Sequence, residues 1–306
     1  MELIKSIEKA RPNLKSNSIN AYIIALKKLN NNETIKDLNF LTDKSKIKKH
    51  LEKLKITTRR NYLTAILVGL SSQDANESLI NYYRNYINKI NEEYTNEMMK
   101  NNKSDKQEEN WVKLSELTDI FNDYEKKVKS MDLKNKIKIT PSDFNILQEY
   151  LVTALYTLLP PVRLDFAPMY IVNSKKKMKE NINYLVNLSR NKKIFVIQEY
   201  KNVKSKGIHE IKIPSKLNSI INLWLKYNTT DMFLLNNRKS ILSANGLGKM
   251  ITKVFKPTGK QITINLLRSI YITENVDIDA VKKSQKLADD MGHSVKIQQT
   301  VYYKDD

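Results

Sequence analysis

Cysteine is absent from the 306 residues, which excludes disulfides, thiolate metal sites and cysteine nucleophiles and leaves the redox compartment open. Glycine occurs six times, and the one stretch with a passing likeness to a phosphate loop, "NGLGKM", lacks the required spacing. There is no carboxylate cluster of the metal-binding type, so neither cofactor nor metal is expected. No apolar run approaches the ~18 residues needed to cross a bilayer. The opening "MELIKSIEKARPNLK" has no apolar signal-peptide core, so the expectation is an intracellular protein with no membrane partner. Acidic residues are also short: 53 Lys and Arg face 33 Asp and Glu, a formal charge of +20. A surplus of that size repels itself unless it meets a polyanion, where neutralised phosphates release condensed counterions.

The length is enough for two domains with separate cores. The first hundred residues read as short amphipathic helices. In "SNSINAYIIALKKLN" the apolar residues Ile19, Tyr22, Ile23, Leu26 and Leu29 recur at steps of three and four, with Ser16 or Ser18 as N-cap. "TTRRNYLTAILVGLSS" repeats the pattern from Thr57 or Thr58 and carries Arg59 and Arg60 in its first turn. Cations there oppose the helix dipole, so they predict either an anionic partner or a solvated helix end. The polar, non-periodic "MMKNNKSDKQEEN" predicts a linker, followed by a helix, "WVKLSELTDIFNDYEKKVKSM", crossing between the halves. The predicted domains are therefore 1–98, a linker and crossing helix over 99–137, and 138–306. The second domain opens with a Thr140-Pro141 helix start and a Pro160-Pro161 stop. "NYLVNL", "IFVIQEY" and "IHEIKIP" then predict a small antiparallel sheet, and the remainder is helical. The fold class expected is α+β, mainly α.

Arginine is scarce beside lysine, occurring at 11, 59, 60, 84, 163, 190, 238 and 268, the imprint of an AT-rich coding sequence. An arginine kept in an apolar setting is therefore informative. Arg163 in "LLPPVRLDFAPM" and Arg268 in "INLLRSIYITEN" are two such cases. A guanidinium in apolar surroundings needs an anion, either internal, from Asp165 or Glu274, or one external group that both would share. Planar guanidinium forks suit a phosphate. Downstream, "EYKNVKSKGIHEI" places Lys201, Lys204 and Lys206 at a predicted hairpin tip, and "MGHSVKIQQTVYY" sets His293 nine residues before Tyr302. Taken alone, that last pair fits a helix N-terminus with Tyr302 packed in a core.

The order Arg163, hairpin lysine, "NLLR", "GHS" and Tyr302 resembles the tyrosine recombinases, the phage and mobile-element integrase family. The likeness covers about residues 140 to 303, and the helical first half is similar to that family's core-binding domain. "LPPVRLDFAPM" and "YKN..K.KG" look most like recombinases of large DNA viruses and related mobile elements. The nine-residue step from His293 matches the family and selects Tyr302 over Tyr303 as nucleophile. Lys201, after "EY", is the first choice as general acid, with Lys206 as the alternative. Three departures stand out. The family's His-x-x-Arg box here reads Asn265-Leu-Leu-Arg268, so its first position can hydrogen-bond a phosphate oxygen but cannot transfer a proton. The acidic residue three places after the first arginine is Phe166. Only Tyr303, Lys304, Asp305 and Asp306 follow Tyr302, so a tetramer would need contacts other than a long C-terminal helix.

The resemblance implies a site-specific recombinase or integrase that binds double-stranded DNA, assembles as an oligomer on it, and forms a 3′-phosphotyrosyl intermediate. A tyrosine phenol is protonated at neutral pH, and neighbouring guanidinium groups would favour the phenolate and stabilise charge on the phosphate. The implied site is Arg163, Lys201, Asn265, Arg268, His293 and Tyr302. Two other readings remain: a type IB topoisomerase, which reseals the strand it cut, and a non-catalytic DNA-binding relic of an integrase.

Overall fold

The structure is a computed structural model that describes residues 2–304 apart from Asp74. The described residues up to Lys103 form one compact unit and those from Ser104 onward a second. The class is α+β and mainly helical.

The first unit is built from α1 (Glu2–Ala10), α2 (Ser16–Leu29), α3 (Lys44–Glu52), α4 (Ile56–Ser71) and α5 (Glu77–Met99). Helix α4 lies at its centre, packed on both α2 and α5, which is why Leu63, Ala65 and Ile66 are fully buried rather than lining one stripe. Gly69 makes the α2 approach feasible: a Cβ there would stand 3.2 Å from Leu26 Cδ1 and 3.3 Å from Leu38 Cδ1. The buried Tyr83 hydroxyl donates to Leu41 O at 2.7 Å, tying α5 to the segment before α3. Two predicted helix starts shift. The N-cap position of α2 is Lys15 and that of α4 is Lys55, so the serines and threonines expected as caps lie inside the helices. Packing of Ile56 against the core outweighs capping preference there.

In the second unit α6 (Asp105–Asn110) and α7 (Leu114–Ser130) precede α8 (Pro141–Thr157). Helix α7 packs along α8. The predicted linker is mostly helical: α5 runs to Met99, and Gln107 Oε1 accepts from the Ser104 amide at 3.0 Å to cap α6. The Thr140-Pro141 start is a full capping box, with Asp143 N donating to Thr140 Oγ1 (3.1 Å) and Thr140 N to Asp143 Oδ2 (3.3 Å). Helix α8 is apolar almost all round and sits in the main core between α7, α10 (Ser215–Tyr227) and α11 (Ala244–Val254).

The sheet comprises β1 (Tyr170–Val172), β2 (Tyr184–Ser189), β3 (Lys192–Ile197) and β4 (His209–Lys212), in that order. The three predicted strands are β2, β3 and β4, paired antiparallel with Leu185 opposite Phe195 and Phe195 opposite Ile211. The sheet is nevertheless mixed, because β1 adds in parallel with Ile171 opposite Leu185. Three half-buried residues, "YIV", carry too short a pattern to announce a strand. The connection from β3 to β4 is a turn of helix, α9 (Val203–Lys206), rather than a bare hairpin tip. Helices α12 (Ile264–Asn275), α13 (Ile278–Asp290) and α14 (Val295–Ile297) complete the described chain, followed by a wide π-type turn over Gln298–Tyr302.

Candidate active site

Arg163 follows the Pro160-Pro161 stop that ends α8, in a loop anchored from both sides. The Tyr156 hydroxyl on α8 donates to Arg163 O at 2.8 Å. Three residues on, Phe166 is fully buried, edge-on to Tyr156 and Phe195 with ring centroids 5.7 and 5.0 Å away. The position where an acidic residue was looked for is thus a core anchor, and the carboxylate beside it, Asp165, is half-buried. Burial pushes the Asp165 carboxyl above the usual carboxylate range, opposed in decreasing order by the Arg163 charge, the Arg163 backbone amide, Arg268 and His209.

That ordering brings Arg163 and Arg268 into the field of one carboxylate, although α12 is far along the chain from the Arg163 loop. Arg268 is half-buried, flanked by the buried Leu267 and Ile270. Asn265, three residues earlier and so on the same face, is exposed in the first turn of α12, just after the Thr263 N-cap. Among the described residues neither guanidinium is within 4.0 Å of a carboxylate oxygen, so the internal pairing with Asp165 or Glu274 is not formed as a salt bridge. His209, exposed at the start of β4, also bears on the Asp165 carboxyl and was not singled out in the sequence. Its only signal was its place directly after "SKGI".

Lys201 and Lys206 are both exposed in the β3–β4 connection, which the Tyr200 hydroxyl closes by donating to Gly207 O at 2.8 Å. Lys206 ends α9, whereas Lys201 precedes it.

His293 and Tyr302 form the second group. Gly292 has φ +71°, and the turn it makes lets the His293 amide bond to Ala288 O at 3.0 Å and stop α13. Ser294 then caps α14. Nine residues of regular α-helix amount to about two and a half turns and end on the opposite face. The wide turn, with Tyr303 N bonded to Gln298 O at 2.8 Å, instead returns the Tyr302 ring to the imidazole. The two rings stack at 5.1 Å and 28°. Tyr302 is 59% exposed, so it is not a core residue. His293 Nδ1 lies 3.3 Å from Ser294 O, while its Nε2 is buried without a hydrogen-bond partner. With the proton on Nδ1, Nε2 presents a free lone pair.

Two sets of candidate residues thus stand out, Arg163 and Arg268, whose charges act on Asp165, and the His293–Tyr302 stack. Among the described residues no hydrogen bond, ion pair or ring contact joins one to the other. In the first unit, Arg59 and Arg60 are engaged within the fold rather than forming a solvated helix end. Arg59 Nη2 donates to Leu54 O at 3.1 Å, and Arg60 Nε donates to Asn91 Oδ1 at 2.7 Å with its guanidinium 4.1 Å over the Tyr94 ring. They tie α4 to its neighbours rather than ending in solvent. No cluster of potential metal ligands and no helix long and apolar enough to cross a membrane occurs among the described residues.

No family model matches the sequence, and no curated protein matches it. Among solved structures, the crystal structure of XerA recombinase is similar to this chain at 12% identity and a TM-score of 0.34, over 100% of this chain and 94% of that one.

Proposed function

We propose that the protein cuts and rejoins double-stranded DNA through a 3′-phosphotyrosyl intermediate, as a site-specific recombinase of the integrase type. The observation that carries this reading is the return of the exposed Tyr302 ring onto His293 at 5.1 Å, together with Arg163 and Arg268, both half-buried and outside any salt bridge among the described residues. Two half-buried forks with free donors suit the non-bridging oxygens of one phosphate. Tyr302 Oη would form the bond to phosphorus, the bond from phosphorus to the 5′ oxygen would break, and Lys201 would protonate that oxygen. The Nε2 lone pair of His293 would take the phenolic proton or hold a phosphate oxygen, and Asn265 would add a hydrogen bond without proton transfer. The 5′ hydroxyl of another strand can then reverse the step, because the phosphotyrosine link conserves the energy of the broken bond.

The helical unit up to Lys103 would serve as a clamp, with Lys46, Lys49 and Lys53, exposed or half-exposed on and beside α3, on backbone phosphates. Val281, Leu287, Met291 and Val301 are each at least half or nearly half exposed, which supports assembly of several copies on DNA. Placement among recombinases of large DNA viruses rests on the "LPPVRLDFAPM" and "YKN..K.KG" stretches. Asn265, which cannot transfer a proton, favours the second reading, a DNA-binding relic.

Covalent trapping decides between them. The protein is incubated with supercoiled or nicked duplex DNA without ATP and with a chelator, quenched in denaturant, and compared with Tyr302→Phe and Tyr303→Phe. An adduct lost only in Tyr302→Phe is expected. Salt-sensitive DNA binding with no adduct in the unsubstituted protein would establish the relic. Strand exchange between two mapped sites then separates a recombinase from a type IB topoisomerase.

A further inference from the structure

We propose that Asn183 is a positioning residue that sets Lys201 relative to Arg163, an inference that rests on the roles given to those two residues above. Asn183 immediately precedes β2 and is 5% exposed. Its Nδ2 donates to Asp165 O and to Glu199 O, both at 3.0 Å. Its Oδ1 accepts from Gln198 N at 2.9 Å and from Glu199 N at 2.8 Å. A side-chain amide offers two donors and two acceptor lone pairs, and here all four are engaged. The orientation is thereby fixed, since a flipped amide would set its NH₂ against two backbone N–H groups. The Asn183 carbonyl in turn accepts from Tyr170 N at 3.0 Å, which joins the same residue to β1.

Both ends of this junction lie next to the proposed chemistry. Arg163 stands two residues before Asp165, and Lys201 two residues after Glu199. The two ends differ in burial, Phe166 beside Arg163 being fully buried and Lys201 exposed. The Arg163 loop is also held by the Tyr156 hydroxyl and by Phe166 in the core. The Lys201 connection is exposed from Lys201 onward except at Val203, with Tyr200 packed on the main core and its hydroxyl donating to Gly207 O. Loss of the Asn183 amide therefore falls mainly on Lys201. Gln198, the other buried amide nearby, bonds through Nε2 to Lys179 O and Ile182 O, both at 3.0 Å, and so touches neither catalytic segment.

The test uses the leaving group. A 5′ alkoxide needs a proton as the bond from phosphorus breaks, whereas a thiolate, with a thiol pKa of about 8.5, leaves without one. After the wild-type cut is mapped, duplexes are made with oxygen or sulfur at the bridging 5′ position, and single-turnover adduct formation is measured on both. Asn183→Asp keeps the shape but replaces the donor by a carboxylate oxygen facing two carbonyls. It should slow cleavage of the oxygen duplex by about 10- to 100-fold and approach the wild-type rate on sulfur, the same pattern expected of Lys201→Ala. Arg163→Ala should be slow on both, and Gln198→Ala should lower the melting temperature without any sulfur-dependent change. Tyr200→Phe, which loosens the same connection at the surface, should repeat the pattern in weaker form and carries the test if Asn183→Asp does not fold. Equal slowing of Asn183→Asp on both duplexes, or no slowing on either, overturns this inference while leaving the phosphotyrosine reading intact. Absence of an adduct with the wild-type protein overturns both.

Discussion

Replacing Lys193 with methionine should destabilise the second unit by about 1–3 kcal/mol, the net of two opposed terms. Lys193, in β3, is 6% exposed and has no carboxylate partner among the described residues. Its ammonium donates to Asn222 Oδ1 at 2.6 Å, Arg190 O at 2.7 Å, Asn218 Oδ1 at 3.1 Å and Ser189 O at 3.2 Å. Three protons serve four acceptors, so the two short bonds dominate, each worth about 1.5–3 kcal/mol as bonds to a charged group. Against them stands the cost of a desolvated charge, which methionine removes while filling a similar volume. The acceptors are only partly orphaned, because Asn218 and Asn222 both still donate to Arg190 O, at 3.1 and 3.0 Å. The bonds therefore win, but by less than their sum. Both tryptophans, Trp111 and Trp224, lie in this unit, and Trp224 shares α10 with the two asparagines, so urea unfolding followed by tryptophan fluorescence reports the right transition.

The pH dependence gives a second reading of the same site. Burial lowers the Lys193 pKa below its ordinary 10.5, with Arg190 adding to the shift. Between the lowered folded value and the unfolded one, the unfolded chain binds more protons, so stability rises with pH across that window. The difference in unfolding free energy between wild type and Lys193→Met should thus grow as pH climbs toward 10.5. A variant as stable as the wild type at neutral pH, or a difference that shrinks with rising pH, would falsify the reasoning.

Two further outcomes are expected. Phe166→Ala removes a fully buried ring wedged between Tyr156 and Phe195 and should cost about 3–5 kcal/mol in urea unfolding, with loss of adduct formation because the Arg163 loop loses its core anchor. Gly292→Ala meets no atom within 4 Å, so its penalty is the left-handed backbone alone, about 1 kcal/mol. Adduct yield should fall while DNA affinity is kept, since the turn that aims His293 at Tyr302 is disturbed.

Much of the helical fold was legible in the sequence because it rests on local periodicity. The stretches around α2, α8, α10 and α12 carry their apolar residues at three- and four-residue steps, and Thr140-Pro141 declares a helix start through capping chemistry that depends on four neighbouring residues. Caps without such chemistry, at Lys15 and Lys55, were set by packing and so were misread. Strand β1 was missed for a related reason: three residues hold no period, and its existence depends on the edge of β2 to which it pairs.

The candidate site divides in the same way. An apolar setting singled out Arg163 and Arg268 from the chain alone, whereas the nine-residue step from His293 to Tyr302 gained meaning only through the resemblance in residue order. Only the tertiary structure decided that the charges of Arg163 and Arg268 both act on Asp165, that Tyr302 folds back onto His293 through a wide turn, and that Asn183 bridges Asp165 to Glu199. Those facts turn on through-space contacts, because hydrogen bonds and charges act over a few ångströms whatever the separation along the chain.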